Sequence, residues 1–225
     1  MIARPLVLVG AGGFGRETAE WAGRGDGFEL LGFVDDDPAL AGTVIGGRPV
    51  LGPSGWLHDH EDVTVAVCAG NPRNPGIRRA IVDRLALPEH RYATLVHPRA
   101  TVASSASLGP GTVVHAGTVL TADIRVGAHV AIMPAVVLTH DDVVSDFVTI
   151  GAGVRLAGGV TVGSAAYLGA GALVREHLSI GPGALVGMGA VVTRDVPAGE
   201  VWAGSPARRL HTNETPCPTG PLPPR

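Results

Sequence analysis

Residues 126 to 161 read VGAHVA IMPAVV LTHDDV VSDFVT IGAGVR LAGGVT, with an aliphatic residue opening every block of six. The spacing continues in both directions without exception, through seventeen consecutive Val, Leu or Ile residues from Val96 to Val192. A period of six matches neither the 3.6 of a helix nor the 2 of a plain strand. It fits a hexapeptide β-helix, in which three six-residue sides close one triangular coil of roughly eighteen. Four positions after each aliphatic residue stands a second, mostly small or aliphatic one, among them Ala100, Ala106, Thr112, Val130, Val136, Val148, Val154, Val160, Ala166, Ala172, Ala184 and Ala190. These two columns are expected to fill a narrow core. Such a prism rarely holds a cavity of its own, so its ligands are expected in grooves between neighbouring prisms, and a homotrimer is the expected state.

Composition narrows the partners. Seventeen arginines, no lysine and twenty acids leave a net charge of −3, which gives no case for nucleic acid or an anionic membrane. No apolar run reaches 18 residues and Met1 leads straight into a strand, so the chain reads as cytoplasmic, without a signal peptide. Cys68 and Cys217 form no disulfide framework. No two of the nine histidines are five apart, which excludes the zinc site of a γ-class carbonic anhydrase, another user of this repeat. No metal is expected. His97 and His115 lie one coil apart and read as a solvated or hydrogen-bonded edge pair.

Residues 1–95 have a different grammar. An apolar run from Leu6 to Val9 meets Gly10-Ala-Gly12-Gly13-Phe-Gly15, then a helix over 16–24 and a second strand from Phe28 to Val34 that ends in Asp35-Asp36. In this strand-loop-helix context GxGxxG lets the backbone turn tightly and brings a phosphate to a helix N-terminus. A third strand, Val63 to Ala69, leads to Gly70-Asn71 and a helix from Ile77 to Leu85. There is no room before residue 96 for a second mononucleotide half, so a half-sized Rossmann-like domain holding one nucleotide is expected. The fold class is thus α/β plus β: a short Rossmann-like domain (1–95), a left-handed parallel β-helix (96–210) and a proline-rich disordered tail (211–225).

Inside the repeat, Thr139-His140-Asp141-Asp142 is the one place where a histidine stands beside two carboxylates. His140 comes two residues after a core position and should point outward, where a free imidazole titrating near ~6.5 suits proton removal from an amine or hydroxyl. Asp142 falls on an inward column, where a charge costs several kcal/mol unless hydrogen-bonded, so a local kink or polar partner is expected. Gly158 is one coil beyond His140; a glycine there leaves open space beside the ring and bares an N–H. The triplets Gly151-Ala-Gly153, Gly169-Ala170-Gly171 and Gly187-Met188-Gly189 recur at eighteen and form a strip of thinly covered backbone.

Taken together, the glycine loop, Asp35-Asp36, Gly70-Asn71 with Arg78, His97-Pro98, His140-Asp141 and the closing Gly204-Ser-Pro206-Ala-Arg208 resemble the PglD/NeuD-type sugar acyltransferases over about residues 5 to 210. That resemblance implies acetyl-CoA as donor and a nucleotide sugar as acceptor, with the site between subunits. It also implies His140 as general base, with Asp141 as its carboxylate partner. Gly10, Gly12, Gly13, Gly15, Asp35, Asp36 and Asn71 are then expected at the acceptor, and Gly158, Gly159, Ala170, Gly171, Gly187 and Met188 at the donor. The chain departs from the family pattern in carrying Asp142 where Cys is usual and Thr139 where Glu is common. The acceptor atom is expected to be an amino group of a deoxysugar. O-acetylation of a sialic acid or related sugar and a non-catalytic nucleotide-sugar-binding trimer are the alternatives.

Overall fold

The computed structural model describes residues 3–24 and 27–212. It begins with β1 (Arg4–Val9), α1 (Gly13–Ala19), β2 (Phe28–Val34), a short hairpin of β3 (Val44–Ile45) and β4 (Arg48–Pro49), β5 (Thr64–Val67) and α2 (Ile77–Leu85). The three longer strands form one parallel sheet in the order β2-β1-β5. Helix α1 starts three residues earlier than the sequence suggests and gives way to a turn after Ala19. It can begin so close to the strand because a Cβ on Gly15 would run into the Gly10 carbonyl oxygen.

From Leu95 the chain winds into a parallel β-solenoid with three sheets. An aliphatic face stacks six strands from Thr101–Val102 to Val191–Val192, and a second face stacks five from Ser107–Leu108 to Ser179–Ile180. A docking face runs from Leu95–Val96 to Leu185–Val186, continues in Glu200–Ala203 and is closed by the antiparallel strand Arg208–Thr212. The last strand reaches two residues past 210; residues 213–225, read from the sequence as part of a disordered tail, lie outside the described residues. Register is eighteen through the repeat, with Leu120 paired to Leu138 and Leu138 to Leu156, and shortens to sixteen in the last coil, where Val186 pairs with Trp202. Both expected columns are buried, with Val154, Val160, Leu156 and Val162 at no more than 1% exposure.

The corners add a column that glycine alone does not reveal. Every sixth residue from Gly111 to Gly189 has positive φ, fourteen in a row, and seven of these are Asp123, His129, Ala135, Asp141, Phe147, Ala165 and His177. An L-residue in this left-handed region costs about 1 kcal/mol or more relative to glycine, so a bulky or charged residue at such a corner marks an interaction made there.

The α/β layer sits on the first coils of the docking face, burying the outward side chains of Leu95, Val113, Ala131 and Thr149. Arg78 of α2 is buried and links the layers: its Nε donates to His129 O (2.7 Å), Nη1 to Ala69 O (2.6 Å) and Nη2 to Val148 O (2.9 Å) and Thr149 Oγ1 (2.8 Å). Every acceptor is neutral. Burial pulls the guanidinium down to about 10, still charged at neutral pH. His97 and His115 stack one coil apart as a hydrogen-bonded edge pair: Arg99 N donates to His97 Nδ1 (2.9 Å), Thr18 Oγ1 lies 3.3 Å from His115 Nε2, and Trp21, just after α1, packs edge-on against both, leaving His115 buried and His97 half-buried.

Two tests follow from this docking. Arg78→Met should lower unfolding free energy by about 3 kcal/mol or more, because several carbonyl oxygens lose their donor in a buried seam. Arg78→Lys should not restore it, since one ammonium lacks the fork that spans both layers; denaturant titration reads both. The second test concerns acid. Burial pushes both His115 and His129 down to about 4, with His97 adding to the effect at the first and Arg78 at the second. An unfolded imidazole titrates near ~6.5, so the unfolded chain takes up protons first and stability is lost as pH falls from ~6.5 toward 4. Asp142, pushed up to about 6 by burial, acts in the opposite direction. Two histidines outweigh one carboxyl, and the balance is a loss of about 2 kcal/mol between pH 7 and 5. Thermal melts should show it, and His129→Asn, compatible with the left-handed φ at that corner, should flatten it.

Candidate active site

His140 stands on the corner where the chain leaves the aliphatic face, at Val137–Leu138, for the second face at Val143–Val144. Its Nδ1 lies 2.8 Å from Asp141 Oδ2, in a pair that is about two-thirds exposed in the single chain. A carboxylate at Nδ1 sets the tautomer: Nδ1 carries and donates the proton, and Nε2 keeps a free lone pair. The left-handed backbone at Asp141, φ +65°, presents its carboxylate beside the ring of its own neighbour. Of the two acids that follow His140 in the sequence, Asp141 holds the ring. Asp142 turns inward and is fully buried; burial pushes its carboxyl up to about 6, although the N–H groups of Val160 (2.8 Å) and Thr139 (2.9 Å) both donate to it.

Gly158 lies beside His140 as the eighteen-residue register requires, but the room that glycine leaves is taken by the imidazole itself. A Cβ on Gly158 would lie 2.5 Å from His140 Nε2. The same holds one residue on, where a Cβ on Gly159 would lie 2.6 Å from His177 Nδ1. The Gly158-Gly159 peptide is thus sandwiched between a histidine of the preceding coil and one of the next. His177 escaped the sequence reading; its signal is that it shares a corner column with Asp141 and Gly159.

On the corner at the opposite edge of the aliphatic face, packing between coils accounts for part of the glycine strip. A Cβ on Gly151, Gly169 or Gly187 would meet Ala170 N (2.6 Å), Met188 N (2.6 Å) or Ala203 Cβ (2.8 Å) in the coil above. Gly187 is therefore glycine for packing reasons. Ala170, Gly171, Met188 and Gly189 remain on the surface, Met188 with 80% of its area exposed.

At the glycine loop, a Cβ on Gly10 would press on Cys68 O, while Gly13 has open space and Gly12 caps α1. Asp35 closes the loop, its Oδ2 accepting from Ala11 N (2.8 Å) and its Oδ1 from Asp37 N (3.0 Å). Asp36 accepts from Ser54 N (2.8 Å) and pairs with Arg84. The exposed Asn71 uses its Oδ1 to accept from Arg73 N, 2.9 Å away. The loop and His140 belong to different corners of the prism: α1 covers His97 and His115 at the corner between docking and aliphatic faces, whereas His140 lies across the aliphatic face at its far edge. Among the described residues, no cluster of three or more His, Cys, Asp or Glu is arranged to hold a metal, and no helix is long and apolar enough to cross a membrane.

Comparison with known proteins agrees with this architecture. The family model for the PglD N-terminal domain matches residues 5–85. The acetyltransferase domain of PglB from Neisseria gonorrhoeae FA1090, solved with acetyl coenzyme A, is 33% identical and superposes with a TM-score of 0.82 over 92% of this chain and 100% of that one. PerB from Caulobacter crescentus, solved with CoA and GDP-perosamine, is 30% identical with a TM-score of 0.80 over 92% and 97%. Two further structures of the Caulobacter enzyme carry one histidine replaced, by Asn or by Ala, and still hold CoA and GDP-perosamine. The UDP-N-acetylbacillosamine N-acetyltransferase of Bacillus subtilis (strain 168) is 34% identical over 113 residues, which are 48% of this chain and half of that protein's length.

The seating of His140 is open to direct measurement. Gly158→Ala should leave the melting temperature close to the parent's while forcing the imidazole aside, so the His140 ring resonances in NMR should shift. Gly183→Ala is the control: it adds a Cβ in open space on another corner, at a left-handed φ of +65° that makes it the harsher backbone change, and should still leave those resonances in place.

Proposed function

Because the chain belongs to the PglD/NeuD-type family of hexapeptide-repeat sugar acyltransferases, we propose that it moves an acetyl group from acetyl-CoA to an amino group of a nucleotide-linked deoxysugar, in the cytoplasm, at a site between the subunits of a homotrimer. The observation that carries the reading is the His140–Asp141 pair, with Nδ1 tied at 2.8 Å and the ring carrying Nε2 laid over Gly158 on an exposed corner. Nε2 takes a proton from the sugar nitrogen as that nitrogen bonds to the thioester carbonyl carbon. The C–S bond then breaks, and the proton leaves with the CoA thiolate. Asp141 holds the ring in the tautomer that accepts and stabilises the imidazolium between the two proton transfers. That pair gains strength once a neighbouring surface removes water from it, because an exposed pair is screened.

Residues 1–95 would bind the nucleotide end through Gly10 to Gly15, Asp35, Asp36 and Asn71, and residues 96–210 would carry out the transfer. Asp35 keeps a lone pair on each oxygen for a hydroxyl while its two backbone bonds hold the loop open. Ala170, Gly171 and Met188, with Gly158 and Gly159, are the donor-side residues; Gly187 supports them by packing. Two features favour a trimer. The aliphatic face turns Val119, Val137, Leu173 and Val191 outward, Leu173 being 40% exposed. That face is also flanked by His140 on one edge and by the Met188 strip and glycine loop on the other, so packing it around a threefold axis would bring complementary edges of two chains together. The amino-sugar acceptors of the relatives favour nitrogen over a hydroxyl.

With acetyl-CoA and a panel of amino-sugar nucleotides, free thiol should appear only when the right acceptor is present. His140→Ala should reduce kcat by ~10² to 10⁴ with little change in acetyl-CoA KM. Light scattering should give about three times 22.9 kDa. A fully active monomer, or a His140→Ala variant that keeps a third of the turnover, would remove the basis of the proposal, and binding without thiol release would make the protein a non-catalytic binder.

A further inference from the structure

Asp142 is an anomaly in its column. Along the same corner the inward residues are Ala106, Ile124, Val160, Leu178 and Val196, all apolar, and any of them fills the prism without a charge. Polar residues do occur elsewhere in the column. Thr112 Oγ1 accepts from Val130 N (3.1 Å) and donates to Gly127 O (2.8 Å), which satisfies a buried hydroxyl and leaves the ladder intact. Asp142 instead rewires the ladder. On the aliphatic face the residue just after each core aliphatic donates its N–H to the next coil: Ala103 to Leu120 O, Thr121 to Leu138 O, Ala157 to Val174 O and Arg175 to Val192 O. Thr139 breaks the series. Its N–H turns to Asp142 Oδ2 (2.9 Å), and its own Oγ1 bonds to Leu156 O (3.0 Å) in place of the missing link. Asp142 Oδ1 meanwhile accepts from Val160 N (2.8 Å), the backbone that follows Gly158-Gly159.

We propose that Asp142 is a positioning residue for His140: its buried carboxylate clamps Thr139, one residue before the imidazole, to Val160, two residues after the glycine on which that imidazole rests. Both ends of the clamp are backbone N–H groups, so the bonds fix main-chain position and with it the height of the His140 Cα over Gly158. Thr139 is part of the device, because its hydroxyl replaces the bond that the clamp diverts. The proposal rests on His140 being the base.

The test uses the full chain with acetyl-CoA and the acceptor identified by thiol release. Asp142→Asn keeps the shape but presents an amide N–H₂ to one of two N–H donors, so one arm of the clamp must break. Asp142→Val repeats the residue found at 160 and removes both arms. Both variants should assemble like the parent and keep acetyl-CoA KM within about twofold, while kcat falls by roughly tenfold or more, Val below Asn. That split, kcat falling while acetyl-CoA KM holds, is what a displaced base produces; a residue that only filled the core would leave both in place. Unchanged kcat in both variants, with His140→Ala inactive, would overturn the clamp and leave the catalytic reading standing. An active His140→Ala variant would overturn both. Failure of both Asp142 variants to fold would also count against the proposal, which requires a carboxylate that the coil itself can do without.

Discussion

The coil length of eighteen residues sets every residue about 4.8 Å from its counterpart in the next coil, side by side on one strand ladder. At that spacing a side chain that bends along the prism axis must find a glycine in its path. His140 bends over Gly158 and His177 over Gly159, and His129 likewise lies over Gly111. Glycine in this chain therefore answers to its neighbours as much as to its own backbone angles. The same spacing makes each outward column a ruled strip, so the site inherits its geometry from the register and needs no cavity within the chain.

Polarity inside the prism is distributed with equal economy. Aliphatic columns bury almost all of their area, and the polar members satisfy themselves against the ladder, as Thr112 does. Asp142 accepts two backbone N–H groups and is still pushed up to about 6, so the bonds only partly offset the loss of water. A protein selected for stability alone would carry an aliphatic residue there. The charge persists at the corner that carries the exposed His140–Asp141 pair.

Joining the α/β layer to the solenoid raises the opposite problem, a seam rich in carbonyl oxygens with few donors. Arg78 solves it with a single fork that reaches both layers. The adjoining histidines, His115 and His129, are kept neutral by burial, so the seam tolerates one buried cation but resists further protons. Acid acts on this seam as well as on any catalytic group, and the two effects are separable because one is read in unfolding and the other in turnover.

Much was legible from residue order. The six-residue period dictated three strand ladders, because only a triangular coil keeps every sixth side chain inside. The order of the short motifs pointed to the family, and Leu138-Thr139-His140-Asp141 singled out the histidine because its place in the hexad forces it outward. Several features depended on contacts between residues far apart in the chain. Periodicity marks Asp142 as buried but does not say that its oxygens reach Thr139 and Val160; Asp141 takes its place beside the ring through a left-handed φ that composition does not announce. His97 and His115 look like surface residues until the α/β layer is laid over their face. Gly158 looks like open space until the ring that fills it is in view. The sequence by itself determined the fold, the family and the identity of the outward histidine, since these follow from spacing along one chain. Tertiary structure decided which acid orients that histidine, which is buried beneath it and what each glycine makes room for, since those outcomes are set by the neighbouring coil and the docked layer.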